Sequence, residues 1–141
     1  MKWKKSGNNY LLRIDKGEFF PEKLLEFSEK NNIKTAAIKG IGAVKNPLLA
    51  YYLPEEKTYV EKKLQGDYEI LSLLGNITLK DGKVFPHFHV SLADEEFRSF
   101  GGHLQRCEIT GTLELFVYPA EVTVERQHDT KVNLQIWKMD C

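Results

Sequence analysis

Residues 86–104 read PHFHVSLADEEFRSFGGHL and hold three of the chain's four histidines. Their pattern is that of a strand, in which successive side chains point to opposite faces. Across Val84 to Ala93, Phe88, Val90 and Leu92 make an apolar face suited to a core, while Phe85, His87, His89 and Ser91 make the other. Two imidazoles at i and i+2 on one strand face can converge on a single ion. His103 follows after a short acidic connection and the Gly101–Gly102 pair, which permits close backbone approach. If the next strand pairs antiparallel with the first, His103 returns beside His87 and His89. Three neutral imidazole nitrogens with room for a water are the ligand set of an open zinc-type site. The competing reading is plain: alternate histidines on a half-exposed strand can simply be polar residues facing solvent.

Working outward, Asp81–Gly82 has the residue preference of a tight hairpin turn, so Tyr68 to Leu79 is the expected sheet neighbour of the histidine strand. Leu104 to Tyr118 reads as one or two further strands, with Gly111 a kink. Asn9 to Asp15 is an opening strand. Pro21 suits the first position of a helix in which Phe20, Leu24 and Phe27 recur at helical spacing up to Asn31–Asn32. Ile33 to Val44 is a strand of small residues. Its Gly40 and Gly42 lack the third glycine and following helix of a phosphate loop, and so mark a bulge or a close crossing. Lys45–Asn46–Pro47 is expected to turn the chain into Leu48 to Leu53, and Pro54–Glu55–Glu56 to turn it again into an edge strand, Thr58 to Leu64. Glu125, Arg126, His128 and Asp129 fall in a polar loop before Val132 to Met139. The predicted class is α+β, a largely antiparallel sheet with one main helix. One helix cannot cover so large a sheet, which predicts another sheet layer or another subunit on the remaining apolar face.

The 141 residues are the length of one domain, 1–141. Lys+Arg and Asp+Glu both number 20, a balance that argues against binding driven by phosphate neutralisation. Lys2, Lys4 and Lys5 are read as a solvated terminus. Cys107 and Cys141 are too few for a disulfide framework, the first residues lack the apolar run of a signal peptide, and no stretch approaches the ~20 apolar residues of a membrane span. The expected location is the cytoplasm, with no membrane partner. Serine-hydrolase, nucleotide-dependent and thioredoxin-like chemistries lack their motifs.

Several segments together resemble the PPC domain family (plants and prokaryotes conserved domain): Glu69-Ile70-Leu71-Ser72-Leu73 with Gly75-Asn76-Ile77, then His87-Phe88-His89-Val90-Ser91-Leu92, then Gly101-Gly102-His103-Leu104, with Gly40 to Tyr52 also fitting. The resemblance runs through nearly the whole chain. It implies an α+β fold assembling as a homotrimer, and a metal, zinc being the usual proposal, on His87, His89 and His103. It also matches Glu114, Arg126 and Asp129 to family positions. The Arg-Gly-Arg-Pro core of the plant members' AT-hook, which enters the DNA minor groove, does not occur in these residues.

Two functions follow as expectations. One is a trimeric, zinc-loaded module acting in regulation, with DNA as a weakly supported partner. The other is a small metal-dependent enzyme of hydrolase or lyase type, using a zinc-bound water with Glu114, Arg126 or Glu69 as auxiliary group. In the structural alternative, Glu114 and Glu69 are exposed strand carboxylates, Arg126 and Asp129 an ion pair fixing the last loop, and the histidines bind nothing.

Overall fold

A computed structural model of the chain describes residues 1–139. The order is β1 (Lys2–Ser6), β2 (Asn9–Asp15), β3 (Phe19–Phe20), α1 (Glu22–Lys30), β4 (Ala36–Leu53), β5 (Thr58–Lys63), β6 (Asp67–Lys80), β7 (Lys83–Ala93), β8 (Ser99–Pro119), β9 (Arg126–Asp129) and β10 (Leu134–Trp137). The main sheet runs β1-β2-β8-β7-β6-β4-β5 with antiparallel neighbours, and β9 and β10 form a separate hairpin. β4 also pairs with β8 over most of its length, so β4, β6, β7 and β8 close into a ring.

Closure decides where the core lies. Alternate residues of the ring strands point inward, and Val44, Leu73, Ile77, Phe88, Leu92, Leu113 and Leu115 are all buried there. α1 adds Leu24 and Phe27, the helical stripe expected from the sequence. The expected further layer over the inner face is supplied within the chain: the sheet curls round and covers that face itself.

Gly40 and Gly42 are the close crossing anticipated for them. A Cβ at either position would fall on the β8 backbone, against the carbonyl oxygens of Glu114 and Thr112 respectively. The Asp81–Gly82 hairpin is also as expected, both residues having positive φ, 51° and 75°.

Several local expectations change. Lys45–Asn46–Pro47 does not end a strand; β4 passes through it, and its register against β8 shifts between Lys45 and Leu48. Pro47 has no N–H to give a ladder and sits within that irregularity. Asn46, at φ 49°, exchanges hydrogen bonds with Gly66, its N–H donating to the Gly66 carbonyl and its Oδ1 accepting from the Gly66 N–H. β8 is one strand from Ser99, with a register shift where Gly111 lies. The polar loop containing Arg126 is the β9–β10 hairpin, and Lys2, Lys4 and Lys5 belong to β1, where they are exposed.

Candidate metal centre

β7 places Phe88 and Val90 in the core and so turns His87 and His89 outward. The antiparallel return of β8 sets His103 directly opposite His89. The three rings lie 5.0–5.6 Å apart, centroid to centroid. One nitrogen from each lies within 4.8 Å of the others. A tetrahedral ion with ~2.1 Å bonds holds its nitrogens about 3.4 Å apart, a difference that rotation of exposed and half-buried imidazoles can close. The donor set fits a borderline-soft divalent cation.

The neutral form required of a ligand is favoured. Burial, then the charges of His103, Arg126 and His89, push the His87 pKa down to about 4. His103 is lowered too, first by burial and then by His89 and Arg126.

His87 and His103 form part of the wall of a cavity of about 570 Å³, lined on another side by the β9–β10 hairpin. The hairpin is fixed at several points. Leu79 donates its N–H to the Val124 carbonyl, Tyr52 donates its hydroxyl to the Val132 carbonyl, and Asn133 donates its side-chain N–H to the Lys57 carbonyl. Tyr59 of β5 forms another wall, its ring 5.7 Å from that of His103. Its hydroxyl pKa is raised by burial and by Tyr52, with Arg126 opposing.

Arg126 occupies the junction. It is 9% exposed and turns its guanidinium onto the outer face of β6. Nε donates to Thr78 Oγ1 (2.9 Å), Nη2 to Asn76 Oδ1 (2.9 Å) and Nη1 to the Gln135 carbonyl (2.6 Å). Nη2 also lies 3.5 Å from His87 Nδ1, and the guanidinium stands over the Phe85 ring at 5.0 Å. Asn76 is the β6 residue opposite His87, and Thr78 the one opposite Phe85. The same strand alternation thus presents the histidine and the acceptors that hold the arginine.

The expected Arg126–Asp129 ion pair is not formed: Asp129 accepts from the Lys131 N–H instead, and among the described residues Arg126 has only neutral acceptors. Glu114 lies on β8 opposite Arg13 and Ile41, and Glu69 on β6 opposite Ala93; both are exposed and neither lines the cavity. His128 is exposed, its Nδ1 3.3 Å from Gln135 Nε2. Cys107 is free and buried, and burial followed by the Glu22 charge raises its thiol to about 12, an inert state. Cys141 lies outside the described residues. The cavity residues Gln105, Ile136 and Trp137 had no sequence signal, because their role exists only through the hairpin's docking.

Fold and site together define a small β-rich protein with a trihistidine cluster on the outer face of a closed sheet. Residues 1–121 match the model of the Plants and Prokaryotes Conserved (PCC) domain, and the chain belongs to this family. Among solved structures it is similar to a plant- and prokaryote-conserved (PPC) protein of Pyrococcus horikoshii, 41% identical, covering 96% of this chain and 94% of that one with a TM-score of 0.87. It is also similar to a metal-containing protein of Archaeoglobus fulgidus, 39% identical over 99% and 100% of the two chains with a TM-score of 0.88. A third, a suggested DNA-binding protein of Bacteroides thetaiotaomicron, is 27% identical over 97% and 96% with a TM-score of 0.93. No curated protein matches. Among the described residues, no helix is long and apolar enough to cross a membrane.

Proposed function

We propose that this chain is a zinc-binding member of its family that acts on a small ligand at His87, His89 and His103, with hydrolase or lyase chemistry favoured over a purely regulatory role. The observation that carries this is the cavity beside the cluster, walled by His87, His103 and the buried Arg126. When bound, zinc would supply a water with its pKa lowered to about 7. Tyr59, Asn76 and Arg126 are the groups at hand to orient a ligand and stabilise developing negative charge. A metal-containing relative of 39% identity supports the metal.

The working unit proposed is one domain, residues 1–141, assembled as a homotrimer in the cytoplasm. Outside the ring Ile41, Leu71 and Leu74 are each more than half exposed, an apolar surface that association would cover. A second reading, a DNA-binding regulatory module, is favoured by the suggested role of the Bacteroides relative. Against it stands the zero formal net charge.

Elemental analysis of untagged protein, wild type beside His103→Ala, with the oligomer mass read on the same samples, tests the proposal. Near-stoichiometric zinc in the wild type, lost in the variant while a trimer mass persists, supports it. Metal-free wild type after chelator-free purification overturns the metal site, and a monomer mass overturns the trimer. Tight DNA binding that weakens steeply with salt would favour the second reading.

A further inference from the structure

Arg126 is a nearly buried cation whose acceptors among the described residues are all neutral: a hydroxyl, a carboxamide and a peptide carbonyl. Among the described residues, the cavity it lines contains no Asp or Glu. Glu61 is tied to the wall by accepting from Gln105 Nε2 at 2.6 Å, and it is itself exposed. Burying a guanidinium without a counter-charge is unfavourable unless an anion arrives to pair with it.

The guanidinium also has donors left over. Of its five N–H groups, three serve Thr78, Gln135 and Asn76, which leaves one on Nη1. Nη2 has a second, whose neighbour is His87 Nδ1 at the limiting distance of 3.5 Å. In the imidazole tautomer protonated at Nδ1, that nitrogen cannot accept, and the Nη2 hydrogen is released as well. Two free N–H groups on the terminal nitrogens match the two oxygens of a carboxylate.

The rest of the wall says what the anion is attached to. Phe85, Ile136 and Trp137 give an apolar and aromatic surface, and no lysine lines the cavity to neutralise a second negative charge. We infer that this cavity binds a monocarboxylic organic acid, its carboxylate on the free edge of Arg126 and its apolar body against Phe85 and Trp137. This deepens the small-ligand reading of the trihistidine site, on which it rests for function though not for binding. Arg126, Ile136 and Trp137 lie beyond the 1–121 stretch that matches the family model, whereas Phe85, His87 and His103 of the same wall lie within it.

Benzoate, its neutral isostere benzamide and inorganic phosphate are the probes, titrated calorimetrically at about pH 7.5, above the ordinary histidine range. Metal-free and zinc-loaded wild type and Arg126→Gln are compared, with zinc content measured on each sample. The expected result is benzoate binding to wild type, at least tenfold weaker binding of benzamide, loss of that contrast in Arg126→Gln, and no displacement of benzoate by phosphate. Equal binding of benzoate and benzamide, or no binding of either, overturns the inference. So does displacement by phosphate, or a benzoate preference that survives in zinc-loaded Arg126→Gln, which would assign the carboxylate to the metal. Should Arg126→Gln fail to fold, the benzoate–benzamide contrast on metal-free wild type decides the matter. A wild type that takes up no zinc yet prefers benzoate overturns the metal reading alone.

Discussion

His89 and His103 are direct partners across the β7–β8 ladder, and their rings stand 5.6 Å apart. The pair is set by backbone register, and His87 joins it from two residues along the same strand face. His89→Ala is therefore expected to lower zinc affinity by more than about 100-fold, since even residues that only orient a metal ligand contribute about 10–100-fold. His128→Ala, on the exposed face of the terminal hairpin, is expected to leave it unchanged. Competition with a chromophoric chelator checks both.

Gly101 faces the β7 backbone so closely that an added Cβ would meet the Val90 carbonyl group and lie 3.2 Å from Ser91 Cα. Gly101→Ala must push β7 and β8 apart two residues from His103. It should cost roughly 1–3 kcal/mol, as overpacking does, read as a lower urea midpoint. Zinc affinity should fall as well, though all three histidines remain. Gly102→Ala, whose Cβ would stand 3.0 Å from the Ala50 carbonyl oxygen, should be the milder change.

Arg126 ties the terminal hairpin to β6 through Thr78, which is fully buried, and Asn76. Arg126→Met keeps the apolar stem but leaves those acceptors unpaired, at about 1–3 kcal/mol for each buried group left unsatisfied. The loss should be local. Hydrogen exchange is expected to rise first across Arg126–Trp137, while the amides of β4 and β8 keep their protection. Uniform loss of protection would contradict this.

His87 and His103 both have pKa values lowered in the fold, His87 to about 4. Unfolded, each takes up a proton near 6.5. The stability they contribute is therefore present above about pH 6.5 and is lost as pH falls toward 4. Asp15, Glu18 and Asp94, also lowered, lose theirs at lower pH, below the ordinary carboxylate range. Melting temperature of the metal-free protein should decline between pH 6.5 and 4, and His87→Gln should flatten that decline.

The strand over Lys83–Ala93, the inward Phe88, Val90 and Leu92, the helix around Leu24 and Phe27, and the Asp81–Gly82 hairpin were all legible in the sequence. Each rests on a period or a turn preference spanning only a few residues. The meeting of the three histidines was legible because a β-return after Gly101–Gly102 admits few registers. Lys45–Asn46–Pro47 misled because turn residues can also be absorbed in a bulge when a long partner such as β8 holds the strand on its other edge.

By itself the sequence determined the strand faces, the core side of β7 and the identity of the three imidazoles, since these follow from alternation within one segment. Only the tertiary structure decided that the sheet closes through β4 and β8 and covers its own core. Only it decided that Arg126, 39 residues beyond His87, lies beside that ring and turns away from Asp129. Such contacts depend on the energy of burying whole strands and docking a hairpin across the fold. That is a sum over distant partners that no local pattern encodes.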